Sequence, residues 1–204
     1  MPQGGGSGLG TINPSVGPGN TIPLAKNPAV PNDHLEHAYK WGLAPDKNGI
    51  LRFWRRKNLT FSTIINGHNN GATREEIKEN GLNQRAFHGK SVWWEMEWPK
   101  GYPDFIVETL VATTKGSTFD TTLGVMGVPK GADPKDSIHN RSLFFWNNNA
   151  VGGGGAFSTV TVPPRAFSLK PGDRIFFMVD GVGASSGKIR LDVKFTGSIP
   201  PPNP

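Results

Sequence analysis

Cysteine is absent from this 204-residue chain. That removes disulfide frameworks, thiolate zinc sites, iron–sulfur clusters and thiol nucleophiles together. Long apolar runs are missing as well. No stretch approaches the roughly 18 apolar residues of a membrane span, so no membrane partner is expected. Charged residues are few, at 19%. The opening MPQGGGSGLG has neither the basic n-region nor the apolar h-region of a secretory signal, and none is expected there. What the chain does hold is 27 glycines, 18 prolines, 12 phenylalanines and 6 tryptophans. The aromatics are ample for one core, and the length suits one domain with appendages. The expectation is a soluble, turn-rich, all-β protein.

Glycine and proline are unevenly spread. Residues 1–31 hold seven glycines, six prolines and one charged residue, Lys26. Such a stretch has too little apolar surface to offset its ordering entropy. It reads as an extended arm that takes a fixed course only on a neighbouring surface. Residues 32–197 read as the folded domain, with an insertion at about 41–57, and 198–204 as a proline-rich tail.

The net charge is +6. Its sharpest concentration is Leu51–Lys57, where Arg52, Arg55, Arg56 and Lys57 surround Phe53 and Trp54. Cations interleaved with rings can grip single-stranded nucleic acid or an acidic protein surface. One cluster is a small footprint, and acidic residues are scattered through the rest. An acidic protein neighbour therefore ranks above nucleic acid. Arg52, Trp54, Arg55 and Arg56 become partner-binding candidates; Trp146, in less regular polar surroundings like Trp54, joins them, as does Trp93, which points away from the apolar face of its strand toward solvent, a second sheet or a partner.

Segment 32–48 has Leu35, Ala38 and Tyr39 at helical spacing, and Asn32 or Asp33 can cap it. Leu59–Ile65 has strand composition and should end at Asn66-Gly67. Thr73–Glu76 fits a capping box. From Ser91 onward short strands follow one another. Val92, Trp94, Met96 and Trp98 share one face, while Trp93, Glu95 and Glu97 share the other, read as an exposed charged face. Phe105, Val107, Thr109 and Val111 alternate, Leu123 and Val125 follow, and Ser142–Trp146 and Val160–Val162 give further strands. Ile175, Phe177 and Val179 should pair with Ile189, Leu191, Val193 and Phe195. Lys188, Arg190, Asp192 and Lys194 alternate outward. Short strands separated by turn chemistry indicate a jelly-roll-like β-sandwich with one or two short helices.

Motifs for catalysis do not cohere. Gly183–Gly187 matches G-x-S-x-G, but it lies between alternating strands and not at a strand-to-helix elbow, so it reads as a hairpin loop. His34 and His37 can share a helical face, yet His68, His88 and His139 lie in separate loops. Asp133, Asp136 and Asp173 sit where aspartate supports turns. No metal site, cofactor or enzymatic activity is expected.

The segments GATREE (71–76), KSVWWEMEWP (90–99), GSTFDTTLGVMGV (116–128) and FFMVDGVGASSGKIRLDV (176–193) resemble the bacterial pre-peptidase C-terminal domain, as does PNDHLEHA (31–38). The resemblance covers roughly 31–196. It implies a jelly-roll-like sandwich and a non-catalytic role in substrate or surface binding, with calcium bound by some members. Where that family often shows Asn-Asp-Asp, this chain has Asn147-Asn148-Asn149, which removes charge that a calcium site uses. Asp120 matches the family's Phe-Asp-Thr aspartate, with a turn hydrogen bond as its expected role. Neither a protease domain nor a signal peptide accompanies the match.

These features together lead to the expectation of a non-enzymatic structural protein of a large assembly. A bacteriophage virion accessory such as a capsid decoration protein fits best, homo-oligomeric within the assembly and docked on capsid or tail subunits through its arm. The alternative is an extracellular carbohydrate- or protein-binding module of a secreted bacterial enzyme, with surface glycans stacked on Trp54, Trp93 and Trp146.

Overall fold

Alternating apolar and polar side chains, closed at short intervals by glycine, proline and aspartate, favour strands throughout the domain. The computed structural model describes residues 21–22, 39–42, 59–72, 90–138, 144–148 and 156–200, the first two segments by backbone alone. Its strands are β1 (Thr21–Ile22), β2 (Tyr39–Gly42), β3 (Leu59–His68), β4 (Val92–Glu97), β5 (Phe105–Thr113), β6 (Thr121–Val128), β7 (Phe144–Asn147), β8 (Thr159–Val162), β9 (Ser168–Leu169), β10 (Arg174–Gly181) and β11 (Lys188–Ser198). One short helix, α1 (Pro134–Ile138), and a 3₁₀ turn at Val182–Ala184 complete the described elements.

Sheet A runs β1-β3-β11-β5-β8, with β9 also on β5, and sheet B runs β2-β4-β10-β6-β7. Without β1, β2 and β9, the remaining strands counted in chain order run 1-8-3-6 and 2-7-4-5. That is jelly-roll connectivity, as the sequence led us to expect. Their pairings are antiparallel, whereas β1 and β2 add in parallel to β3 and β4.

Several local expectations are corrected. Tyr39 lies in strand β2, not in a helix, and residues 32–38 and the capping box at 73–76 lie outside the described residues. β3 passes through Asn66-Gly67 to His68, with Gly67 in register with Ile189. A Cβ on Gly67 would stand 2.9 Å from the Trp94 ring, so glycine here makes room for an indole and does not turn the chain. On β5 the buried face shifts from Phe105 and Val107 to Leu110 and Ala112, leaving Thr109 exposed. A register irregularity against Thr196 and Gly197 supplies the extra residue. Finally, β10 and β11 belong to different sheets. Their apolar residues meet across the core and not as ladder partners.

The core lies between the sheets, where Trp94, Met96, Phe177, Val179, Leu191 and Phe195 converge. One end of it is aromatic. Phe61 stacks on Phe195 at 4.7 Å, Trp98 stacks on Phe105 at 5.0 Å, and Trp98 Nε1 donates to Pro103 O at 2.9 Å. Gly197 sits beside this cluster at the irregularity, where a Cβ would collide with the Ile106 carbonyl oxygen and the Phe105 ring. Backbone cannot step aside as a side chain can. Gly197→Ala should therefore destabilise the fold by about 3 kcal/mol, measured by urea unfolding. Gly131→Ala, whose Cβ meets nothing within 4 Å, carries only the strain of a φ of +79° and should lose less.

Candidate functional site

Of the six partner-binding candidates, Arg52, Trp54, Arg55 and Arg56 lie outside the described residues. Trp93 is corrected outright. It is 0% exposed, packed with Met126, Val128, Ile138, Phe144, Phe176 and Met178 on the outer face of sheet B. The face opposite the main core is thus a second apolar layer, on which Ile138 of α1 also packs. Glu95 is buried in it as well, and only Glu97 of the expected charged face is exposed. Trp146 lies half-buried at the margin of the same cluster, on edge strand β7.

The outer face of sheet A is the open one. Lys188, Arg190 and Lys194 project outward from β11 as expected, and Asp192 beside them is half-buried. The Arg190–Asp192 pair is close, at 3.2 Å, but exposure keeps its contribution small. Ser62 of β3 and Thr161 of β8 carry hydroxyls onto the same face, level with Lys194 and its neighbour Val111. At the edge of this sheet the arm supplies β1, with Thr21 beside Ile64 and Ile22 beside Ile65.

Jelly-roll connectivity also brings the C-terminal ends of β3, β5, β7 and β10, and so the starts of the loops that leave them, to one end of the sandwich. Loops so gathered on a rigid scaffold are where binding groups concentrate. Here the G-x-S-x-G segment crosses from sheet B to sheet A, so it is a crossover and not a hairpin. Ser185 N donates to Val182 O at 3.2 Å and Ser185 Oγ to Asp120 O at 3.0 Å, which ties the serine into the turn. Buried Asn69 braces the crossover. Its Nδ2 donates to Lys90 O and Ser185 O, each at 3.1 Å, and its Oδ1 accepts from Gly187 N at 2.9 Å. Asp133 and Asp173 do hold turns, Asp173 accepting from Lys130 N at 2.8 Å and Lys170 N at 2.7 Å.

Asp120 does not behave as expected. Its backbone carbonyl serves the turn, while its carboxylate Oδ1 is buried without a hydrogen-bond partner. Thr122 and Asp180, facing each other across β6 and β10, are both 0% exposed. Sequence reasoning missed Ser91, Thr122 and Asp180, which meet only through strand register. Among the described residues no three His, Asp or Glu side chains form a metal-holding group, and no helix is long and apolar enough to cross a membrane.

No protein-family model and no curated protein matches the sequence. Among solved structures the chain is similar to CorA of Methylomicrobium album BG8, a surface-associated copper-binding protein important in copper acquisition. The identity is 13% and the TM-score 0.29, over 80% of this chain and 100% of that one. Copper is a property of CorA, and superposition at that level carries no functional argument here.

The burial of Trp93 changes what its removal should do. Trp93→Ala should destabilise the fold by about 3–5 kcal/mol, whereas Trp146→Ala at the margin should cost about 1 kcal/mol. Chemical denaturation of both variants checks this; equal effects would contradict the packing.

Proposed function

We propose that this chain is a non-enzymatic structural protein of a large assembly, of the kind that decorates a virion capsid, and that it docks through its N-terminal arm. The observation supporting the reading is that the arm forms a strand: Thr21–Ile22 pairs in parallel with β3 of this chain's own sheet A, and the same backbone groups suit the sheet edge of a neighbour. Main-chain hydrogen bonds to a sheet edge give affinity with little demand on side chains, which suits an arm this poor in apolar residues. The open, basic-and-hydroxyl outer face of sheet A adjoins β1 and offers a docking surface for an acidic protein neighbour. Resemblance to pre-peptidase C-terminal domains supports the same non-catalytic class. The carbohydrate-binding alternative retains Trp146 among the described residues but loses Trp93 as a stacking ring.

Mass spectrometry of particles purified from the producing culture tests the proposal. The chain should be present at a fixed ratio to the major shell subunit. Ile22→Pro, which removes a backbone donor from β1, should release it from particles with an unchanged circular dichroism spectrum. Absence of the chain from every particle fraction would overturn the reading.

A further inference from the structure

The loop end of sheet B holds a group of oxygens that the fold itself does not use. Thr121 points into the buried hydroxyl cluster, its Oγ1 2.5 Å from that of Thr114. By strand alternation Asp120 and Thr122 therefore point to the opposite, outer face of sheet B. Thr122 is the register partner of Asp180 on β10, and the ladder continues one step further, with Val182 N donating to Asp120 O at 3.0 Å. On the other side of Asp180 stands Ser91, the residue before β4, where Lys90 N donates to Asp180 Oδ1 at 2.8 Å. Thus Ser91, Asp180 and Thr122 form a row, with Asp120 one step beyond Thr122.

Three oxygens in this group are buried without a hydrogen-bond partner: Ser91 Oγ, Thr122 Oγ1 and Asp120 Oδ1. Ser91, Thr122 and Asp180 are each 0% exposed. Leaving one such group unsatisfied costs roughly 1–3 kcal/mol, and more for a charged one. Two of the four side chains carry carboxylates, and all the unused atoms are oxygens. The cation of Lys90 does not answer them, because its Nζ donates to Ser186 Oγ at 3.3 Å. Asp180 Oδ1 is engaged, accepting from Lys90 N and, at 2.6 Å, from Gly181 N. Those two donors fix the orientation of its carboxylate.

We propose that this end of sheet B binds a hard, calcium-class cation through Asp120, Thr122 and Asp180. The donor set is oxygen only, which suits calcium and disfavours softer metals. Side chains directly opposite across an antiparallel pair lie about 4.5–5.5 Å apart at Cβ, and diagonal ones about 7–8 Å, within joint reach of one ion. Ser91 and Thr122 flank Asp180 on different strands, about 9–10 Å apart by strand spacing. Ser91 therefore reaches the ion through a water, with further waters completing the shell. Two carboxylates make a weak site, with a dissociation constant of about 0.1–1 mM. Thr122 and Asp180 lie on β6 and β10, Asp120 just before β6 and Ser91 just before β4, apart from Asn147-Asn148-Asn149 on and after β7.

The test uses the full chain, stripped with chelator, and calcium chloride as the probe, with magnesium chloride and sodium chloride as comparisons. Calcium should raise the melting temperature in a saturable way and give binding heat by calorimetry. Terbium(III) should luminesce on tryptophan excitation, because Trp93 lies one step from Ser91 on the same face, and calcium should quench that emission by displacement. Asp120→Asn should weaken calcium binding on the order of tenfold or more. Thr122→Val removes a buried unpartnered hydroxyl, so it should raise the melting temperature of the stripped protein while shrinking the gain from calcium. A wild-type chain with no calcium-dependent shift or heat up to about 10 mM, well above the expected constant, would overturn the proposal, as would Asp120→Asn binding calcium like wild type. A response equal for calcium, magnesium and sodium would also overturn it, since ionic strength alone would then explain the effect.

Discussion

One buried carboxamide closes the loop end of the sandwich. Asn69 is 0% exposed, and both side-chain polar atoms are engaged with backbone groups from two separate segments. Its own N–H reaches Gly187 O at 3.3 Å, so the exit of β3 and the β10–β11 crossover are held against each other from both sides. Because Lys90 O is a third partner, the same amide places the approach to β4. Lys90 N then caps Asp180, and Asp180 caps Gly181. Gly181 has no room for a Cβ because the Ser185 carbonyl occupies that space. The chain can cross from sheet B to sheet A there only in this tight form. Removing the amide would leave three partly buried backbone groups, Lys90 O, Ser185 O and Gly187 N, without this partner at once.

With that end fixed, the two sheets acquire different characters. Sheet B is central and two-sided, with β6 buried at every position and β10 at all but Arg174. Sheet A is one-sided, with β11 alternating buried and accessible along its length. The physical consequence is a division of surfaces. An apolar cluster packs on the outside of sheet B, so the polar, accessible side chains described lie on the outer face of sheet A and at the loop end.

This difference sets what could be read from the residues. β11 was legible because a half-buried strand writes its burial into strict alternation. The inner face of β4 was legible for the same reason. Its outer face misled, because a tryptophan opposite a core tryptophan looks like a surface ring when one buried face is assumed. The corrective signal was nearby: Phe176, Phe177 and Met178 form an unbroken apolar run, the mark of a strand buried on both faces. The Asn66-Gly67 pair misled in another way. Its glycine is required by the Trp94 ring from the opposite sheet, a tertiary contact that no local turn rule contains. The polar row at the loop end was illegible in principle, since Ser91, Thr122 and Asp180 become neighbours only after jelly-roll register is set.

The arm and the loop end are also physically separate. β1 meets β3 at Ile64 and Ile65, inside the strand, on the edge of sheet A. Asp120, Thr122 and Asp180 stand on the far face of the other sheet, with the whole core between. Groups separated in this way and sharing no partner contribute to stability nearly additively. An ion at the loop end would therefore stiffen the closure around Asn69 and Asp180 without changing how β1 pairs with β3. Conversely, β1 can pair or leave without disturbing the carboxylates. The jelly roll lets one chain carry an added edge strand and a closure point that do not constrain each other, because the core between them is packed from both sheets and rigid.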